Sequence, residues 1–319
     1  MTDFAEPADR RRRPRSYPLP QQGMRAKDLL SRLTKNDLRH ARSNGLLLNP
    51  GRGLYVPQSG NHESGIVGLL QALTAGGTRT VSHETAAAIH GLPGEPLQAP
   101  FHLTVPRHCT RVRRRGVVGH RADIPPQHVG WRNGIPLTSP AWTWADCAIG
   151  SSVLEALILA DQFIRPGRPE YGEPAAMASR ADLSEALKLR GPANGVRRAG
   201  RALELAREGA DSPQETALRF YMHEAGLPEP EVNVWICTEQ GVRVVQPDLL
   251  LRRWRLAIQY DGEQYHSGQQ MRKDVRRAEN TEAMGYTEVR ITKDHMRNRA
   301  TAAITKIERE LIARGWSRW

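Results

Sequence analysis

Two apolar runs late in the chain carry the residues best suited to chemistry. Residues 245–251 contain Asp248, residues 256–261 contain Gln259 and Asp261, and His266 follows the bend at Asp261-Gly262. The basic stretch Arg252-Arg253-Trp254-Arg255 between them reads as a tight turn, so the two runs are expected to pair as strands. Side chains alternate along a strand, which puts Gln259 and Asp261 on one face and Ile258 and Tyr260 on the other. Asp248 sits on the paired strand, within reach of the same point. Oxygen-rich groups of this kind suit Mg²⁺ or Mn²⁺, which take one or two carboxylates together with water and phosphate oxygens.

The flanking elements follow from periodicity and caps. Ser212-Pro213-Gln214-Glu215 is an N-cap, a proline at the first helical position and a Glu three residues on, so Glu215 reads as half of a capping box. The expected helix ends at Ala225-Gly226. Strands are expected at 232–236, 242–251 and 255–261, then a helix over 269–284 closed by Gly285, a strand at 287–291 and a helix over 300–314. The order is α-β-β-β-α-β-α.

With Pro247-Asp248, Gln259-Tyr260-Asp261-Gly262, Tyr265-His266, Asp274, Arg277, Gly285-Tyr286 and Val289-Arg290-Ile291 in that order, the last third of the chain resembles the very-short-patch-repair-endonuclease-like branch of the PD-(D/E)xK nucleases. Upstream, 212–219 and 225–228 extend the resemblance. It implies a restriction-endonuclease-like fold that hydrolyses phosphodiesters with a metal on Asp248 and Asp261, completed by Glu215. His266 would move a proton and Arg277 would contact phosphate. There is one departure: the family usually has Glu where this chain has Gln259, which removes a charge that helps hold the ion. Two expectations stand side by side. One is a DNA-binding, Mg²⁺-dependent endonuclease weakened by Gln259; the other is an antitoxin-like transcriptional regulator on an inactive nuclease fold.

The first half reads differently. Residues 1–22 hold the run Arg10-Arg11-Arg12-Arg13-Pro14-Arg15 among prolines and are expected to form a disordered basic arm. Over 23–58, Thr34 is an N-cap, Leu38 and Ala41 give the following helix an apolar stripe, and a hairpin turns at Pro50-Gly51. That pattern is a winged helix-turn-helix, with Lys35, Arg39, Arg42 and Arg52 as candidate DNA contacts. It resembles the N-terminal domain of abortive-infection type IV antitoxins, and 59–165 resembles the mixed middle domain that accompanies it. The resemblance implies double-stranded DNA and a toxin or defence-system component as partners. His83 and His90 lack metal-ligand spacing with other donors and read as capping and surface residues. Arginines at 107, 111 and 113–115 are expected to extend a phosphate-binding surface. Residues 166–195, rich in Gly, Pro, Ala and Ser, read as a linker into an endonuclease-like domain at 196–319, with a short helix available to 182–188.

Composition agrees with a polyanionic partner. There are 46 Lys and Arg against 34 Asp and Glu, a net charge of +12 over 319 residues. No apolar run is long enough to span a bilayer, so nucleic acid is favoured over a membrane. Cys109, Cys147 and Cys237 stand far apart, which fits a reducing cytoplasm and no zinc ribbon. The aromatic platform of a single-stranded RNA binder is not evident.

Overall fold

The computed structural model describes residues 24–44, 46–51, 54–57, 62–168, 172–262 and 268–318. The expected basic arm at 1–22, Arg52 and His266 lie outside them. The protein is a mixed α+β chain in two compact units. One takes the chain to Val81 with Leu97–Asp123 and Trp131–Pro136; the other takes Ser82–Pro96, Ile124–Gly130 and Leu137–Trp319. No helix among the described residues is long and apolar enough to cross a membrane.

The first unit opens with β1 (Met24–Arg25), α1 (Ala26–Leu29), α2 (Lys35–Ser43), β2 (Leu47–Gly51) and β3 (Leu54–Pro57). Thr34 caps α2 as its sequence requires: its hydroxyl accepts from the Asp37 N–H at 3.1 Å, and Asp37 reaches back to the Thr34 N–H at 3.2 Å. Leu38 and Ala41 pack with Leu29, Leu33, Leu47 and Tyr55. Strands β1, β3 and β2 form an antiparallel sheet in that order. Helix α3 (His62–Thr74) packs on β1 and β3 and also reaches β4 (Thr80–Val81). A six-stranded sheet follows, built with β5 (Phe101–Val105), β6 (Arg113–Arg114), β7 (Val117–Arg121), β8 (Val129–Arg132) and β9 (Ile135–Thr138), in the order β6-β7-β5-β4-β9-β8.

The second unit contains a helical part formed by α4 (His83–His90), α5 (Pro140–Gly150), α6 (Val153–Ile164), α7 (Arg180–Arg190) and α8 (Val196–Leu205). Its core joins Trp144, Leu157, Phe163, Leu183, Ala186, Ala199 and Leu203, with alanines letting the helices approach. Ser139 and Pro140 start α5, the Ser139 hydroxyl accepting from the Trp142 N–H. The 166–195 segment, read as a linker, carries α7, whose Leu183, Ala186 and Leu187 are buried in this core. Glycine and proline content marked the ends of α7 but hid its apolar face. His83, read as a surface residue, is instead buried with positive φ, its ring 2.9 Å from the Ser82 hydroxyl and 3.5 Å from Asp146.

The same unit continues through α9 (Pro213–Glu224), β10 (Glu231–Val232), β11 (Ile236–Cys237), β12 (Arg243–Val245), β13 (Leu249–Leu251), β14 (Leu256–Asp261), α10 (Gly268–Ala283), β15 (Thr287–Thr292) and α11 (Arg297–Ile312). A four-stranded sheet runs β10-β13-β14-β15, with β14 and β15 parallel and the other pairs antiparallel. The expected three-strand meander is broken: Pro247 has no N–H for a ladder, so 242–251 divides into β12, paired with β11, and β13 in the main sheet. Leu249 and Leu251 face α9 and α11, while Leu250 joins Ala257, Val245 and Tyr286 on the other face. A strand covered on both faces explains the unbroken Leu-Leu-Leu. Arg219 of α9 reaches Asp161 of α6 at 2.7 Å, both fully buried, which ties the sheet region to the helical part.

Candidate functional site

The C-terminal acids are assembled by α9, the β13–β14 hairpin and the segment before β11. Ser212 caps α9, and Glu215 folds back into the same turn. One Glu215 oxygen accepts from the Ser212 hydroxyl at 2.7 Å; the other accepts from the Asp211 N–H at 2.9 Å and from the Asn233 side-chain amide at 2.7 Å. Asn233 sits in the left-handed region at φ 49, which an Asn tolerates, and its N–H donates to the Asp248 carbonyl at 3.0 Å. The Asn233 carbonyl accepts from Gln246. Asn233 therefore links Glu215 to Asp248, a role that sequence reading missed. Its only trace in the sequence is an Asn at a strand end.

Asp248 lies immediately before β13, opposite Gln259. Its Oδ1 accepts from the Gln259 Nε2 at 2.6 Å and its Oδ2 from the Tyr260 N–H at 2.6 Å. With Asp248 ionised, Gln259 presents its N–H₂, because an amide oxygen turned toward the carboxylate would set two acceptors against each other at that distance. Burial pushes the Asp248 carboxyl from 3.8 up to about 7, and the charge of nearby Glu215 adds to it; the two hydrogen bonds and Arg277 pull the other way. Glu215 is also raised, chiefly by burial.

Asp261 ends β14 in register with Thr292 and is half-buried. Arg277 projects from α10 toward Glu288 at 3.4 Å and Asp274 at 3.5 Å, and Glu288 also holds Arg290 at 2.6 Å. Asp248, Gln259 and Glu215 are thus brought into one network, and Arg277 acts on it through its charge. Glu288 and Arg290, which sequence reasoning did not assign to the site, complete the charge pattern beside it.

In the other unit, Lys35, Arg39 and Arg42 are all exposed on α2, about one turn apart, flanking the buried stripe of Leu38 and Ala41. Arg39 contacts Asn36 Oδ1 at 3.2 Å within its own helix. Cys109, Cys147 and Cys237 are free thiols.

Residues 79–205 match the family described as the AbiEi antitoxin C-terminal domain. The match runs from β4 to α8 and includes the buried α7. Two curated proteins of Mycobacterium tuberculosis are similar over most of their length: MT2308 of strain CDC 1551 / Oshkosh and Rv2248 of strain H37Rv, both described as uncharacterized. Each is 29% identical over 290 residues, covering 88% of this chain and 97% of its own. The crystal structure of the RV2827C protein from Mycobacterium tuberculosis overlaps 61% of this chain and 74% of its own, at 17% identity and a TM-score of 0.36.

Proposed function

We propose that this protein is a DNA-binding, antitoxin-like regulator with a toxin or other defence-system component as its protein partner, and that its C-terminal sheet is a nuclease-type core no longer used for hydrolysis. The observation that carries this reading is the match of 79–205 to an antitoxin domain. Two features support it. Helices α1 and α2 with the β2–β3 hairpin have the makeup of a winged helix-turn-helix, and α2 offers three exposed cations where a recognition helix would meet the major groove. The net charge of +12 favours a polyanion.

The acidic network supports the second half of the proposal. A divalent cation needs oxygen donors with lone pairs aimed at a common point. The hydrogen bonds to Asp248 and Glu215 orient both carboxylates within the protein's own network, and Gln259 supplies no negative charge where the nuclease family has Glu. With Gln259 in place of a carboxylate, and Asp248 and Glu215 held in a hydrogen-bonded network within the protein, the site is read as one that no longer holds Mg²⁺ or Mn²⁺ for hydrolysis. The endonuclease reading keeps one observation in its favour, the link between Glu215 and Asp248 through Asn233.

Purified protein should bind duplex DNA in a fluorescence anisotropy titration. Replacing Lys35, Arg39 and Arg42 together with Ala should weaken that binding at least tenfold, since each such contact contributes on the order of 1 kcal/mol or more. Plasmid should stay intact with Mg²⁺ or Mn²⁺. Metal-dependent cleavage that EDTA and Asp248→Ala both abolish would overturn the regulator reading.

A further inference from the structure

We propose that an arginine-lined cleft in the first unit is a second DNA contact, which grips the sugar-phosphate backbone of a duplex without reading its sequence. The proposal rests on the DNA-binding reading above and goes beyond it, because it assigns a surface outside the α2 helix. The cleft encloses about 850 Å³, and its lining includes Arg79, Arg111, Arg113, Arg114 and Arg115 around buried Leu73. No carboxylate lines it among the described residues. From 97 to 123 the chain has six arginines and a single acid, Asp123, which faces Arg107 at 3.7 Å. A hollow lined by arginines with no carboxylate among them is a surface that favours anions.

The backbone holds these side chains in place. Strand β6 pairs Arg113 with Val118 and Arg114 with Val117 on β7. Next to it, the Val112 main chain lies directly on Gly119, where an added Cβ would overlap the Val112 carbonyl oxygen. Arg79 is pinned at the floor, donating to the Leu73 carbonyl at 2.9 Å. Arg111, Arg113 and Arg115 remain exposed at the mouth.

The lining selects among phosphate carriers. Apart from the arginines it has Leu73, Thr110 and Val112, with no aromatic ring on which a base could stack. That disfavours single strands and nucleotides and leaves the phosphodiester backbone, which arginine forks bind well. Helix α3, whose last turn supplies Leu73, also packs on β1 and β3 of the small N-terminal sheet, so the cleft and α2 belong to one body.

The test uses the full chain, a random-sequence duplex and the best-binding duplex, titrated from 50 to 200 mM NaCl. Each phosphate contact contributes about 0.9 to the slope of log K against log salt, so Arg113→Ala with Arg115→Ala should reduce the slope by about 2 on both duplexes. Over that fourfold salt range the wild type should lose roughly tenfold more affinity than the variant. The ratio of specific to random binding should not change, and the paired Arg→Lys variant should recover the slope. An unchanged slope in a folded Ala variant overturns the proposal. So does wild-type binding of inorganic tripolyphosphate that the Ala variant loses while its duplex slope is unaltered, since the site would then serve a free polyphosphate. A wild type that binds no duplex removes the DNA-binding reading as well; a wild type that binds with an unchanged variant removes this proposal alone.

Discussion

Replacing Gln259 with Glu tests the C-terminal network most directly. In the native site the Gln259 amide donates to Asp248 Oδ1 at 2.6 Å. The variant keeps the shape but sets a carboxylate oxygen where the donor was. Two ionised carboxylates about 3 Å apart repel by about 5 kcal/mol at an effective dielectric constant near 20. Holding one of them protonated at pH 8 has a similar cost, about 1.36 kcal/mol for each unit between the reference Glu value and the ambient pH. The expected loss of folding stability at pH 8 is therefore on the order of 3–5 kcal/mol. At pH 5.5 the Asp248 carboxyl, raised to about 7, already carries its proton and can donate it to the new carboxylate. There the loss should shrink to about 1 kcal/mol, the scale of one exchanged hydrogen bond. Chemical denaturation of wild type and variant at both pH values measures this difference. Millimolar Mg²⁺ should then raise the melting temperature of Gln259→Glu at pH 8 and leave that of the wild type unchanged. A variant as stable as the wild type at pH 8, or one equally destabilised at both pH values, would refute the donor role assigned to Gln259.

Other perturbations probe the frame around the site. Asp146 and Asp248 are both raised from 3.8 to about 7, chiefly by burial, so each binds its proton more tightly folded than unfolded. Their contribution is complete below about pH 4 and is lost as pH rises toward 7, by up to about 4 kcal/mol each, so the denaturation midpoint should fall across that window and Asp146→Asn should flatten the decline. Asp161→Ala strands buried Arg219 and removes the acceptor for the Arg207 N–H and the Thr216 hydroxyl; a loss of about 3–5 kcal/mol is expected by urea unfolding, and a loss under 1 would argue against the tie between α6 and α9. Trp144→Ala empties the centre of the helical core and breaks the 3.0 Å bond to the Ala156 carbonyl, for a further expected loss of about 3–5 kcal/mol in the same measurement.

Much of the framework was legible in the residues because it rests on local physics. The Thr34 and Ser212 caps, the Gly285 helix end, and the buried stripe of Leu38 and Ala41 each depend on neighbours within one or two turns. That Asp248 and Gln259 belong to adjoining strands was also readable, since a short turn between the two apolar runs makes a hairpin.

What the sequence by itself determined is the set of caps, turns and alternating faces, together with a basic chain carrying acids near its end. Tertiary structure alone decided the rest. It placed α7 in a core although its segment read as a linker, because Leu183, Ala186 and Leu187 find α5 and α8 only after folding. It buried His83, and it brought Asn233 between Glu215 and Asp248. It also gave the Gln259 side chain its direction. Sequence spacing permits that amide to offer oxygen or hydrogen; the carboxylate 2.6 Å away is what requires the hydrogen.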